Sequence, residues 1–250
     1  GIEDPRVYTA LGFISLQNSE IEKAIKYNLK SISINPQYAI GYSNLGTLFC
    51  QIGNYNQAEK YIREAIKINP IFSRLFLTLG EILSKQIELK RAEQEIRKAI
   101  HLEPNLIEAY HILSNILMGQ EDYNEAEKVI KNVINISPKS PESYFQLHKI
   151  YSQSGKLEKA RDILYKTIDL DSKFTLAYDS ISRFQDCEKD INFVNKLFSI
   201  NSQELKSNKD KVNILFAKSN ILHRKKRYEE SADLLMEANS LKLTIYNSTA

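Results

Sequence analysis

Residues 39–72 read AIGYSNLGTLFCQIGNYNQAEKYIREAIKINPIF, and the segments on either side are copies of this one. At a step of 34 residues, aromatic side chains recur at Tyr8, Tyr42, Phe76, Tyr110, Tyr144 and Tyr178. Large aliphatics recur at Leu11, Leu45, Leu79, Leu113, Leu147 and Ile181, a small residue at Ala24, Ala58, Ala92, Ala126 and Ala160, and proline at Pro36, Pro70, Pro104 and Pro138. Columns of such different chemistry sharing one period mark a chain built by repetition.

Within each copy apolar residues fall three and four apart, the spacing of an amphipathic helix. Each copy therefore reads as two helices and a turn. Gly12, Gly46 and Gly80 lie on the first helix, and the alanines at the facing positions of the second helix let the two backbones approach. The recurring prolines end the second helix, because the residue before a proline is pushed out of the α region. Pro5 and Pro141 fall instead at the first position of a first helix, where a missing N–H costs little. The opening helix is expected to lack a polar cap of its own. A single copy leaves an apolar face that only a stacked neighbour covers.

In residues 39–72, Tyr42, Leu45, Gly46 and Phe49 precede Ala58, Ile62, Ala65 and Pro70. This pattern resembles the tetratricopeptide repeat, with Tyr in place of Trp at the first position. The resemblance implies an all-α fold, a right-handed α-α superhelical solenoid of helix hairpins whose first helices line a concave groove. One solenoid domain over 1–250 is expected, with repeats at about 5–38, 39–72, 73–106, 107–140 and 141–174. A degenerate unit follows at 175–206, whose second helix lacks the small alanine. The polar run 201–211 reads as a loop. A final unit at 212–245, shifted by three residues, places Ser219, Leu222, Tyr228, Ser231, Leu235 and Ala238 in the repeat columns. The tail 246–250 has no period.

By the same resemblance, the groove lining falls at Arg6, Thr9 and Phe13; at Ser43, Asn44, Thr47 and Gln51; and at Arg74, Leu77, Thr78, Glu81 and Lys85. It continues at Glu108, His111, Asn115 and Met118, then at Glu142, Phe145, Lys149 and Gln153. The lining is mixed in sign. A carboxylate clamp of the kind that holds chaperone tails would need a Lys and Asn pattern that only Asn44 meets. An asparagine ladder would need Asn at Ala10, Thr78, Ile112 and Gln146 as well as at Asn44. A second resemblance rests on Phe216-Ala217, Arg227-Tyr228-Glu229-Glu230 and Glu237 to Lys242, similar to the unit that precedes the catalytic domain in bacterial tetratricopeptide-sulfotransferase fusions. It implies a substrate-presenting or regulatory region of a larger sulfotransferase, inactive alone.

The 34 basic and 31 acidic residues leave a net charge of +3, too small to point to nucleic acid or an acidic membrane. Cys50 and Cys187 lie in repeats separated by three others, so no disulfide is expected and a reducing, cytoplasmic setting fits. No stretch approaches the roughly 20 apolar residues of a membrane span, and no secretory signal opens the chain. The dense basic run His223 to Arg227 reads as a helix end and its turn, where cations are favoured by the dipole, against the sharper reading of a phosphate or acidic-partner site. His111 and His148 fall in adjacent repeats, but without a carboxylate or Cys at ligand spacing they do not make a metal site.

No zinc-protease, P-loop, dinucleotide or nucleophile-elbow motif occurs, so no catalytic residue, metal or cofactor is assigned. The sequence reads as a non-enzymatic scaffold that binds a protein or peptide in a concave groove. The partner and the oligomeric state are left open.

Overall fold

The computed structural model describes residues 4–247. They form fourteen α-helices and no strand. The chain divides into two compact units, residues 1–130 and 131–250.

The first unit holds α1 (Pro5–Gln17), α2 (Ile21–Ile34), α3 (Ala39–Gln51), α4 (Tyr55–Ile68), α5 (Ser73–Lys85), α6 (Leu89–Leu102) and α7 (Ile107–Gly119). The unit boundary falls within α8 (Tyr123–Ile136). Helices α1 and α2 form an antiparallel pair, as do α3 with α4 and α5 with α6, and each pair packs on the next. The core is the set of repeat columns: Leu45, Ala58, Ile62, Leu79, Ala92 and Ile96 are fully buried. At Gly46 a β-carbon would stand 2.5 Å from the Ile62 side chain and 3.2 Å from the Ala58 carbonyl. Ile62 is itself enclosed, so the glycine is what allows the two helices to touch.

The turns inside the hairpins repeat as closely as the helices. Ser19, Gly53, Ile87, Glu121 and Gly155 all adopt the left-handed conformation, with φ between 60° and 76°. In each, the following N–H reaches back to a first-helix carbonyl: Asn54 to Phe49 at 2.8 Å, Glu88 to Leu83 at 2.9 Å. This closes the helix end by the 6→1 bond of a Schellman turn. The expectation of an uncapped α1 is corrected: the Asp4 carboxylate accepts from the Arg6 N–H at 2.9 Å and caps the helix.

Two positions on α1 depart from their columns. Val7 is 54 % exposed and Ile14 55 %, whereas Leu75, Ala109, Ile82 and Ile116 at the same positions are buried. In the interior hairpins these residues meet the preceding hairpin.

The second unit holds α9 (Pro141–Gln153), α10 (Leu157–Leu170), α11 (Thr175–Ile181), α12 (Ile191–Ser199), α13 (Asn208–Arg224) and α14 (Tyr228–Asn247). Its core gathers Leu164, Ile168, Tyr178, Ile181, Cys187, Phe193, Leu197, Ile214 and Ile221. Tyr178 stacks on Phe193 at 6.0 Å, and Val194 stands in the column where the earlier units have alanine. Burial and a hydrogen bond to Asp190 push the Tyr165 hydroxyl well above its ordinary range. The sixth hairpin is short, and α13 docks against α11 directly. Asn213 donates to the Thr175 hydroxyl at 3.0 Å, and Asn220 to that of Ser182 at 3.0 Å. Within 201–211, read as a loop, a 3-10 turn spans Ser202–Glu204, and α13 begins at Asn208, where the Ser207 hydroxyl accepts from the Asp210 N–H. The tail expected from 246 is helical through Asn247.

Candidate peptide-binding surface

On each first helix the glycine column turns inward, which leaves the residue after it facing out. Phe13, Thr47, Glu81, Asn115, Lys149 and Arg183 occupy that position, and all six are exposed. Their immediate predecessors Gly12, Gly46, Gly80, Ser114, His148 and Ser182 are all buried. One solvent-facing position per hairpin thus carries aromatic, hydroxyl, acidic, amide and basic chemistry in turn.

Within the first unit, Phe13, Asn44 and Thr47 border a small cleft of about 90 Å³ floored by Gly12, Leu16, Asn28 and Leu48. Asn28 sits where the next three hairpins have Ile. It is buried, its amide donates to the Ala24 carbonyl at 2.8 Å, and its oxygen accepts from the Asn44 amide at 3.0 Å. Asn44 therefore anchors two helices as well as lining the cleft. Further along, Arg74 and Glu108 stand 3.6 Å apart. Glu81 reaches solvent, yet the surrounding walls desolvate its carboxyl and Glu108 repels its charge, so its pKa is pushed up against the opposing effect of Lys85. Ser43, Thr78 and His111 are half-buried, with Thr78 turned onto the Arg74 carbonyl at 3.0 Å. Three expected lining residues are buried. Thr9 is buried with its hydroxyl on the Arg6 carbonyl at 2.9 Å, and Leu77 is 4 % exposed. Met118 is likewise buried. Arg6 is exposed and forked onto Asp4.

In the second unit, Glu142 is exposed and accepts from the Ser140 hydroxyl at 2.9 Å. Phe145 packs on Phe174 with centroids 5.2 Å apart, and the Lys149 ammonium lies 5.5 Å from the Phe145 ring. His148, at the glycine position, is buried with Nδ1 3.2 Å from the Ala160 carbonyl and 3.3 Å from the Ser152 hydroxyl. Burial lowers its pKa, the Ala160 bond opposes this, and Lys149 adds to it. The basic run ends α13: Arg224 pairs with Glu188 at 3.7 Å, Arg227 forks onto Glu230, and Lys226 takes the left-handed turn position.

A cavity of about 630 Å³ in the second unit was not anticipated. Its walls include Leu176, Asp179 and Arg183 of α11, Asn213 and Phe216 of α13, and Lys242, Ile245 and Tyr246 of α14. The signal was present in the sequence: 34 residues beyond Glu142, Phe145 and Lys149 stand Leu176, Asp179 and Arg183, and the three-residue shift then gives Asn213 and Phe216.

Models described as tetratricopeptide repeat match residues 5–38, 39–72 and 117–174, together just over half of the chain. No curated protein matches. Among solved structures, a tetratricopeptide repeat protein from Parabacteroides merdae is 13 % identical with a TM-score of 0.68, covering 95 % of this chain and 93 % of its own. Pseudomonas aeruginosa pilF is 16 % identical with a TM-score of 0.64, covering 81 % and 93 %. YrrB, described as a TPR protein with an unusual peptide-binding site, is 22 % identical with a TM-score of 0.56, covering 69 % and 89 %. None of these relates the last hairpin to sulfotransferase fusions. The periodic helix hairpins, their buried columns and these matches agree: the chain belongs to the tetratricopeptide repeat family.

Proposed function

We propose that this protein is an interaction scaffold whose first-helix faces hold an extended segment of a protein partner. The observation that carries this is the column Phe13, Thr47, Glu81, Asn115, Lys149 and Arg183, exposed on six successive first helices directly after a buried residue and different in each. Packing explains a column that is constant; a constant exposure with changing chemistry suits the reading of a partner's sequence residue by residue. The peptide-binding site in the description of YrrB supports the same reading by analogy of fold.

A random dodecapeptide library displayed on phage and panned on the full chain tests it. Related sequences should be enriched, and their recovery should fall about tenfold when Phe13 is changed to Ala and Thr47 and Asn115 to Arg. These substitutions lie at exposed positions and are expected to move stability by no more than about 0.5 kcal/mol each. Recovery that survives these changes but falls with substitutions on the second helices would place recognition elsewhere. Asn44→Ala is unsuited to this purpose, because it strips a buried amide oxygen of its donor at a cost of about 1–3 kcal/mol.

A further inference from the structure

The cavity of the second unit exists because one helix is too long. The second helices α2, α4, α6 and α10 each span 14 residues, whereas α14 spans 20. With the three-residue shift, the position of Pro36, Pro70, Pro104 and Pro138 is taken by Leu243. Leucine keeps the N–H and the α conformation that proline denies and so permits the helix to run on, although α10 stops at Leu170 with Ser172 in the same column. Its overhang brings Lys242, Ile245 and Tyr246 beside the exposed faces of α11 and α13, and together they enclose about 630 Å³. This lies within the range of sites that engulf a small ligand or a few side chains.

The contents of the walls define what fits. Leu176 is 46 % and Tyr246 62 % exposed, and with Val212, Phe216 and Ile245 they make the apolar part of the lining. The charges do not cancel. Arg183 is held by Asp179 at 2.8 Å, and Asp210 accepts from the Thr175 hydroxyl at 2.6 Å. Lys209 and Lys242 have no carboxylate within ion-pair distance among the described residues, and the Lys242 ammonium lies 5.9 Å from the centre of the Phe216 ring. The second oxygen of Asp179 is buried without a hydrogen-bond donor. The site therefore offers apolar surface and two uncompensated ammonium groups.

Resting on the interaction-scaffold reading above, we infer that this cavity is a dedicated subsite for an acidic amphipathic segment of a protein partner. A large apolar side chain fills the space between Leu176, Phe216 and Tyr246. An adjacent Asp or Glu meets Lys209 and Lys242. Charge complementarity selects the sign of the ligand, and the apolar floor selects its bulk.

The test pans the same dodecapeptide library on the wild-type chain and on a Lys209→Glu, Lys242→Glu double variant. Both lysines are exposed, and an unchanged circular-dichroism melt verifies the fold of the variant. The wild type should enrich sequences with an aromatic or large aliphatic residue beside Asp or Glu. Recovery of those sequences should fall at least about tenfold on the double variant and weaken with added salt. A Leu243→Pro variant, which ends α14 before Ile245 and Tyr246, should lose the same class. Enrichment without acidic bias, or an acidic bias that persists in the double variant, overturns the subsite and leaves the scaffold reading standing. A loss of enrichment confined to the Phe13, Thr47 and Asn115 variant does the same. No enrichment on any protein overturns both, including the case where a second copy of the chain already fills the cavity and the wild type sediments as a dimer.

Discussion

Ile87 is the residue least at ease in this fold. It is β-branched, 81 % exposed and held at φ 64° in a turn where Gly53 and Gly155 occupy the equivalent position. The left-handed region brings the β-carbon against the backbone at a cost of roughly 1–2 kcal/mol, and only glycine escapes it. Ile87→Gly should therefore raise stability by about 1 kcal/mol, after allowance for the added freedom of glycine in the unfolded chain. Urea denaturation read by circular dichroism decides this, and a lower midpoint would mean that the turn is relaxed with isoleucine. The position could be located by the period alone, since 53 and 155 are glycine. That Ser19, Ile87 and Glu121 bend the same way could not, because their identities carry no such preference.

At the scale of helix pairs, the small-residue column shows how one contact is met by different chemistry. Where glycine brings the helices together in the second and third hairpins, His148 and Ser219 reach the facing strip with a hydrogen bond, to the Ala160 and Ser231 carbonyls. The His148 proton balance gives this a pH signature. Burial lowers its folded pKa below the ordinary 6.5, so between the two values the unfolded chain binds a proton that the folded chain refuses. Stability is therefore complete above that window and is lost as pH falls through it. Denaturation midpoints measured from neutral pH to about pH 5 should show a loss that His148→Ser, the residue used at Ser114 and Ser182, diminishes. An unchanged slope in the variant would assign the loss to other groups. The pairing of α9 with α10 was legible from Leu147 and Ala160. The burial of His148 was legible from its column, but its partner was not, since a carbonyl on the facing helix has no sequence mark. The fate of Asn44 was hidden for a similar reason: its engagement depends on Asn28 standing where the next three hairpins carry Ile, and only the fold brings the two within 3.0 Å.

For the molecule as a whole, stability in a repeat array accumulates from neighbours, so a stretch with enough complete hairpins should stand alone. A fragment ending at Ile136, which keeps α1 to α8 entire, is expected to give a helical far-UV spectrum and a cooperative melt. A random-coil spectrum would show that the remaining hairpins are required. The sequence period carries no sign of the division near residue 130, where Ala126 and Ile130 hold their columns and are fully buried. It does fix where the first helices begin, at Pro5, Ala39, Ser73, Ile107, Pro141 and Thr175. Beyond that point the period weakens, and two boundaries moved for local reasons: the Ser207 cap starts α13 early, and the absence of proline lets α14 run late.

The leucine at position 243 separates two things that are usually inherited together. Four prolines earlier in the chain measure out helix length, and none of them depends on which residue stands at the same column of the last hairpin. A change of one residue there adds or removes the wall of a cavity while every preceding hairpin keeps its phase. Architecture and ligand choice can thus vary separately, the first bound to many coincident columns and the second to the few residues that end one helix.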